Sequence, residues 1–100
     1  MAEEGDMIVD TVGEAAVPAF ARGVKFRFDT TRQSWIVLAP ERLFLPDEPA
    51  TEILKLVDGQ RSLGAIIDDL AARFGVPREE MAGDVRTMLR DLADKGAVTL

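Results

Sequence analysis

Among the groups that commonly exchange protons in catalysis, this sequence offers mainly carboxylates: it has 18 Asp and Glu but no His, Cys or Tyr. Without His and Cys, the usual ligands of zinc, copper and iron–sulfur sites are missing, as are the reactive thiol and the commonest general base. Two carboxylates could still work as acid and base if burial or a like charge moved one of them toward neutrality. Most of these, however, fall on polar helix faces, where water keeps them ordinary. No spacing supplies both a nucleophile and a base. The expectation is a chain that binds rather than catalyses, with no metal and no cofactor.

A binding surface needs elements to carry it. One hundred residues, 47% hydrophobic and 30% charged, suit one soluble domain around one small core. No apolar run approaches the roughly 20 residues of a membrane helix. The acidic start, Met1 to Asp6, lacks the basic and apolar regions of a secretory signal, so the cytoplasm is the expected location. Charge is unevenly spread within the total of −6. Residues 1–18 hold Glu3, Glu4, Asp6, Asp10 and Glu14 and no base. Residues 19–45 hold Arg22, Lys25, Arg27, Arg32 and Arg42 against Asp29 and Glu41. The acidic start has no sustained period, so residues 1–17 are expected to be a flexible tail or linker and residues 18–100 the domain. Whether that tail only solubilises or tethers a second domain stays open.

Val24, Phe26 and Phe28 alternate with Lys25, Arg27 and Asp29, the period of a strand with one wet face. Thr30 to Gln33 turn the chain into Trp35-Ile36-Val37-Leu38, whose continuous apolar content predicts a strand covered on both faces, with Trp35 as a core anchor. Pro40-Glu41 breaks this hairpin, and Arg42 to Leu45 read as a third strand ending at Pro46. The period then lengthens. Ala50, Ile53, Leu54 and Val57 predict a helix capped by Asp47 or Glu48 and ended by Asp58-Gly59. Ser62 opens a second helix with an apolar stripe from Leu63 to Phe74, stopped by Gly75. Pro77 suits the first position of a third, whose stripe is Met81, Val85, Met88, Leu89 and Leu92 and whose end is Lys95-Gly96. Val98 to Leu100 could add a short strand. The fold class is therefore α+β and winged-helix-like: a three-stranded antiparallel sheet followed by a three-helix bundle.

Such folds often bind DNA, which needs cations facing phosphate. Wet positions of the third helix carry Arg78, Arg86, Arg90 and Lys95 against Glu79, Glu80, Asp84, Asp91 and Asp94, a net repulsive set. Peptide docking is the stronger expectation. Arg42, Leu43, Phe44 and Leu45 form a candidate sheet edge with free N–H and C=O groups, to which a guest strand could add. If the third helix lies beside it, Val85, Met88, Leu89 and Leu92 would wall a groove with adaptable apolar side chains. The same stripe would equally serve as plain core. Arg22, Lys25, Arg27 and Arg32 are candidate contacts for an acidic partner, or simply a solvated face. Self-association through the same edge, or a DNA-binding winged helix, are the alternatives.

The order of several short runs also carries a resemblance. Pro18 to Lys25, then Asp29, Arg32, Trp35 and Leu38-Ala39-Pro40-Glu41-Arg42, resemble the opening of the PqqD family. Glu52-Ile53-Leu54, Asp58 to Ser62 and Lys95-Gly96 are similar to later parts of it, so the likeness runs from about Pro18 to Leu100 and leaves the acidic start outside. The resemblance implies a precursor-peptide recognition domain of pyrroloquinoline quinone (PQQ) biosynthesis. Its members are peptide chaperones that bind the ribosomally made peptide PqqA and present it to the radical S-adenosylmethionine enzyme PqqE. Some are fused to the oxidase PqqC. The family binds its guest beside the third strand and against the third helix, which by position means Arg42 to Leu45 and Val85 to Leu92.

Overall fold

The computed structural model describes residues 13–100. Four strands, β1 (Ala19–Phe20), β2 (Lys25–Asp29), β3 (Ser34–Ala39) and β4 (Arg42–Phe44), precede three helices, α1 (Glu48–Leu54), α2 (Leu63–Phe74) and α3 (Arg78–Asp94), and β5 (Val98–Thr99) follows. β2, β3 and β4 form an antiparallel sheet in that order. Its registers pair Phe26 with Val37, Phe28 with Trp35 and Val37 with Phe44. Paired residues share a face, so one face carries Phe26, Phe28, Trp35, Val37 and Phe44, and the other Lys25, Arg27, Ile36, Leu38 and Leu43.

The first face packs on the helices through Val37, Phe26 and Phe44. Ile36, on the second, is also buried, so β3 is covered on both sides as its unbroken apolar run predicts. Trp35 differs from expectation. It is half-buried toward the end of the sheet, stacked on Phe26 at 4.7 Å, edge-on to Phe28 at 5.9 Å, with Lys55 Nζ 5.5 Å from its ring centre. The wide indole thus covers the margin of the core instead of filling its centre.

Caps set the helix limits. Asp47 accepts from the Ala50 N–H at 2.9 Å and opens α1. That helix stops at Leu54, a turn before the expected Val57, because the Leu56 and Val57 N–H groups reach back three residues to Ile53 and Leu54. Ser62 Oγ caps α2 at Ala65, and Gly75 ends it at φ 66°, a left-handed conformation that glycine adopts without steric cost. Pro77 is the cap of α3 and not its first residue. Leu63, Ile66, Ile67 and Leu70 of α2 meet Val85 and Leu89 of α3 with at most 1% of their surface exposed. Burying each such side chain stabilises the fold by about 1.5–3 kcal/mol.

β1 pairs with β5, Ala19 opposite Thr99 and Phe20 opposite Val98, in a separate two-stranded ladder. Residues 1–12 of the expected tail lie outside the described residues. Residues 13–17 run along the start of α2, where the Leu63 N–H donates to Ala16 O at 2.7 Å and the Gly64 N–H to Glu14 O at 2.9 Å. The Glu14 carboxylate receives both terminal nitrogens of Arg78 at 2.7 and 2.9 Å and lies 3.5 Å from Arg86. A Cβ on Gly64 would approach Glu14 Oε1 to 3.0 Å, so the close approach depends on glycine there.

Candidate functional site

β4 has β3 on one side and, among the described residues, no strand on the other. Since an antiparallel strand turns alternate N–H and C=O groups to either side, the outer groups of this edge have no strand partner among the described residues. Beside it lies a groove of about 200 Å³ lined by Phe44, Leu45, Met88 and Leu92 together with Pro46, Asp47, Ala50, Leu54, Asp91 and Val37. The two segments singled out in the sequence, separated by the 39 residues from 46 to 84, therefore meet. The turn at Pro46 and Asp47 folds α1 across the bottom of the groove, and α3 supplies its far wall.

The structure divides the eight candidate residues. Phe44, Leu45, Met88 and Leu92 face the groove. Leu45 is 61% exposed and Leu43, on the outer face of the sheet, 41%. Arg42 is exposed, with its guanidinium 6.0 Å from the Phe44 ring centre. Val85 and Leu89 are fully buried in the core and do not line the groove. On α3 these two point at α2, about one helical step around from Met88, and α2 covers them. The α1 contribution, Ala50 and Leu54, went unnoticed in the sequence because their spacing of four is equally that of an ordinary core stripe.

Arg22, Lys25, Arg27 and Arg32 are all exposed. Arg32 is bound to Asp29 at 2.9 Å; Lys25 and Arg27 stand on the outer sheet face near Leu38, Ile36 and Leu43. On α3, Arg78 holds Glu14 and Asp68, and Lys95 holds Asp91 at 2.9 Å, so two of the cations a nucleic acid would need are already engaged.

Among the described residues, the carboxylates with displaced pKa values are displaced downward. Hydrogen bonds from Arg78 hold Glu14 below the usual carboxylate range, Arg32 does the same for Asp29 and Lys55 for Glu52, while the Arg61 and Gln60 N–H groups lower Asp58. Each is thereby kept ionised near neutral pH, the reverse of what a general acid requires. Among the described residues no group of three or more His, Cys, Asp or Glu could hold a metal ion. No helix among them is long and apolar enough to cross a membrane.

Comparison with known proteins places this chain in a family. The family model described as Coenzyme PQQ synthesis protein D (PqqD) matches residues 34–98. The chain is 56% identical over 89 residues to the PqqA binding protein of Rhodopseudomonas palustris strain BisB5, covering 89% of this chain and 87% of that one. It is 39% identical over 79 residues to the bifunctional coenzyme PQQ synthesis protein C/D of Methylorubrum extorquens, which covers 79% of this chain but 21% of that fusion. The solution structure of the PqqD truncation of Methylobacterium extorquens PqqCD, a recognition element for ribosomally synthesised and post-translationally modified peptides, matches with a TM-score of 0.75. That match is 34% identical and covers 90% of this chain and 96% of that one. PqqD from Xanthomonas campestris matches with a TM-score of 0.53 at 34% identity, covering 85% and 94%. The family pattern takes in β3, β4, all three helices and the start of β5, the elements that frame the open edge, and this chain belongs to the PqqD family.

Proposed function

We propose that this protein is a non-catalytic peptide chaperone that binds the precursor peptide PqqA in PQQ biosynthesis and presents it to PqqE. The observation that carries the reading is the juxtaposition of the unpaired β4 edge with the groove between Phe44, Leu45, Met88 and Leu92. An added strand would satisfy the backbone of Arg42 to Leu45, and its alternate side chains would enter the groove, where the Met88 thioether adapts to their shape. Val85 and Leu89 act from behind, as the packing that holds Met88 and Leu92 in place. The names of the relatives and the recognition-element structure support the same guest. Presentation to PqqE needs no chemistry from the chaperone. Holding the peptide near the enzyme raises its local concentration and limits its orientations. The exposed Arg22, Lys25 and Arg27, with Arg32 at the turn, are the surface we assign to an acidic partner.

Titration of isotopically labelled protein with PqqA tests this. Amides of Arg42 to Leu45 and the Met88 methyl group should shift and saturate; the absence of any saturable shift would remove the proposal. A repeat with PqqE present should move Lys25 and Arg27 signals as well, and no change there would remove the partner assignment alone.

A further inference from the structure

A second and larger hollow, about 460 Å³, lies between α1, α2 and α3 and shares no lining residue with the groove beside β4. Its floor is apolar, made by Ile53, Leu70 and Met81. Phe74 stands at its wall with 52% of its surface exposed, a large aromatic that the fold leaves wet. The charged groups around it are mostly acids. Arg73 is the only base in the lining, and it is taken up by Asp69 at 3.1 Å, Glu52 at 3.5 Å and the Phe74 ring, whose centre is 5.4 Å from its guanidinium carbon. Glu48 and Asp84, by contrast, have no ion-pair partner among the described residues. An apolar hollow with two unneutralised carboxylates fits an apolar side chain with a cation beside it. A polar metabolite would require several convergent donors, and this lining offers only one engaged guanidinium.

The occupant is suggested by α3. Met81, Asp84, Met88 and Asp91 succeed one another at spacings of three, four and three, so they form one line along the helix. The first two line this hollow and the last two line the groove beside β4. Met81 and Met88 are separated by about 10 Å of helix. An extended chain covers that distance in about three to four residues.

We propose that the hollow between α1, α2 and α3 receives an apolar side chain flanked by a cationic residue, carried by the same guest peptide that pairs with β4. This rests on the peptide-binding reading and deepens it. The guest is gripped twice along α3, with the second anchor about three to four residues beyond the one at Met88. The acidic rim then selects guests with a base next to that anchor and rejects those with an acid there.

The test uses full-length protein labelled at its methionine methyl groups and titrated with the precursor peptide. Met81 and Met88 should shift with a common midpoint, and trimming the peptide from one terminus should abolish the Met81 shift while leaving that of Met88. Asp84→Lys should weaken binding at least fivefold, whereas Glu79→Lys, on the same helix but outside the hollow, should change it less than twofold. Both sites are exposed, so neither variant threatens folding. A moving Met88 with a silent Met81, or equal losses in the two lysine variants, would overturn the second anchor and leave binding at β4 standing. Movement of Met81 only when the radical enzyme is added would assign the hollow to that enzyme and overturn the proposal. If neither methionine moves, peptide binding itself fails.

Discussion

The α2–α3 interface and the β4 margin use the same kinds of side chain to opposite ends. Leu63, Ile66, Ile67, Leu70, Val85 and Leu89 are sealed from water, while Leu43 and Leu45 keep 41% and 61% of their surface exposed. Apolar exposure at an unpaired edge is a liability that folded proteins ordinarily limit. Here it adjoins a groove, and under the proposed function the margin is surface held ready for a strand and not unfinished core. On that reading stability and recognition fall to different residues, even to neighbours on one helix: Leu89 faces α2 and Met88 faces the groove.

This division breaks first if core and edge variants behave alike. Leu89→Ala should destabilise the domain by about 2–5 kcal/mol, read from urea denaturation, since it leaves a cavity where nothing can collapse. Leu45→Asp should do the reverse. It adds a third carboxylate to a groove that already has Asp47 and Asp91, and should weaken peptide binding at least tenfold, about 1.4 kcal/mol. Its own unfolding free energy should stay within about 0.5 kcal/mol of the parent, as expected of an exposed site. Equal losses of stability in both variants would mean that β4 is core after all.

A finer test addresses α1, which floors the groove. Asp47→Ala removes the side-chain cap at the Ala50 N–H and should cost about 1 kcal/mol. Because α1 also borders the hollow through Glu48, Pro49 and Glu52, peptide affinity should fall together with the helix signal. Unchanged affinity would show that a frayed α1 suffices.

The smallest effect concerns Glu14, which lines neither the groove nor the hollow. Its folded pKa is depressed, chiefly by hydrogen bonds from Arg78, so its stabilising contribution is complete above the ordinary glutamate range and is lost as pH falls through the depressed value. Glu14→Gln should therefore melt below the parent at pH 7, and the gap should close on acidification. Both proteins should bind the peptide equally. A gap that persists at low pH would mean that packing, and not charge, holds residues 13–17 in place.

Much of this architecture is local and was legible for that reason. Ser62 and Gly75 delimit α2 because a cap oxygen and a left-handed residue act on their own backbone. The unbroken run in β3 declares two covered faces, and the alternation in β2 holds at Phe26 but not at Phe28, which is 41% exposed where the sheet runs past the helices. The edge at Arg42 to Phe44 follows from Pro46, which stops the sheet from growing along the chain. The absence of His, Cys and Tyr likewise turns attention from chemistry to binding before any fold is known.

Other features depend on which surfaces meet. Periodicity marks Val85, Met88, Leu89 and Leu92 as apolar without saying which neighbour covers each, and only packing separates Val85 and Leu89, sealed by α2, from Met88 and Leu92, which line the groove, Leu92 while itself buried in the core. The pairing of β1 with β5 joins two-residue strands about 80 positions apart, too short to carry a local signature. The hollow at Phe74 is assembled from three helices, each of whose contributions is unremarkable alone. Local preferences were written in residue types and spacings; the choice among partners for an apolar face was made by the energy of the whole packed arrangement.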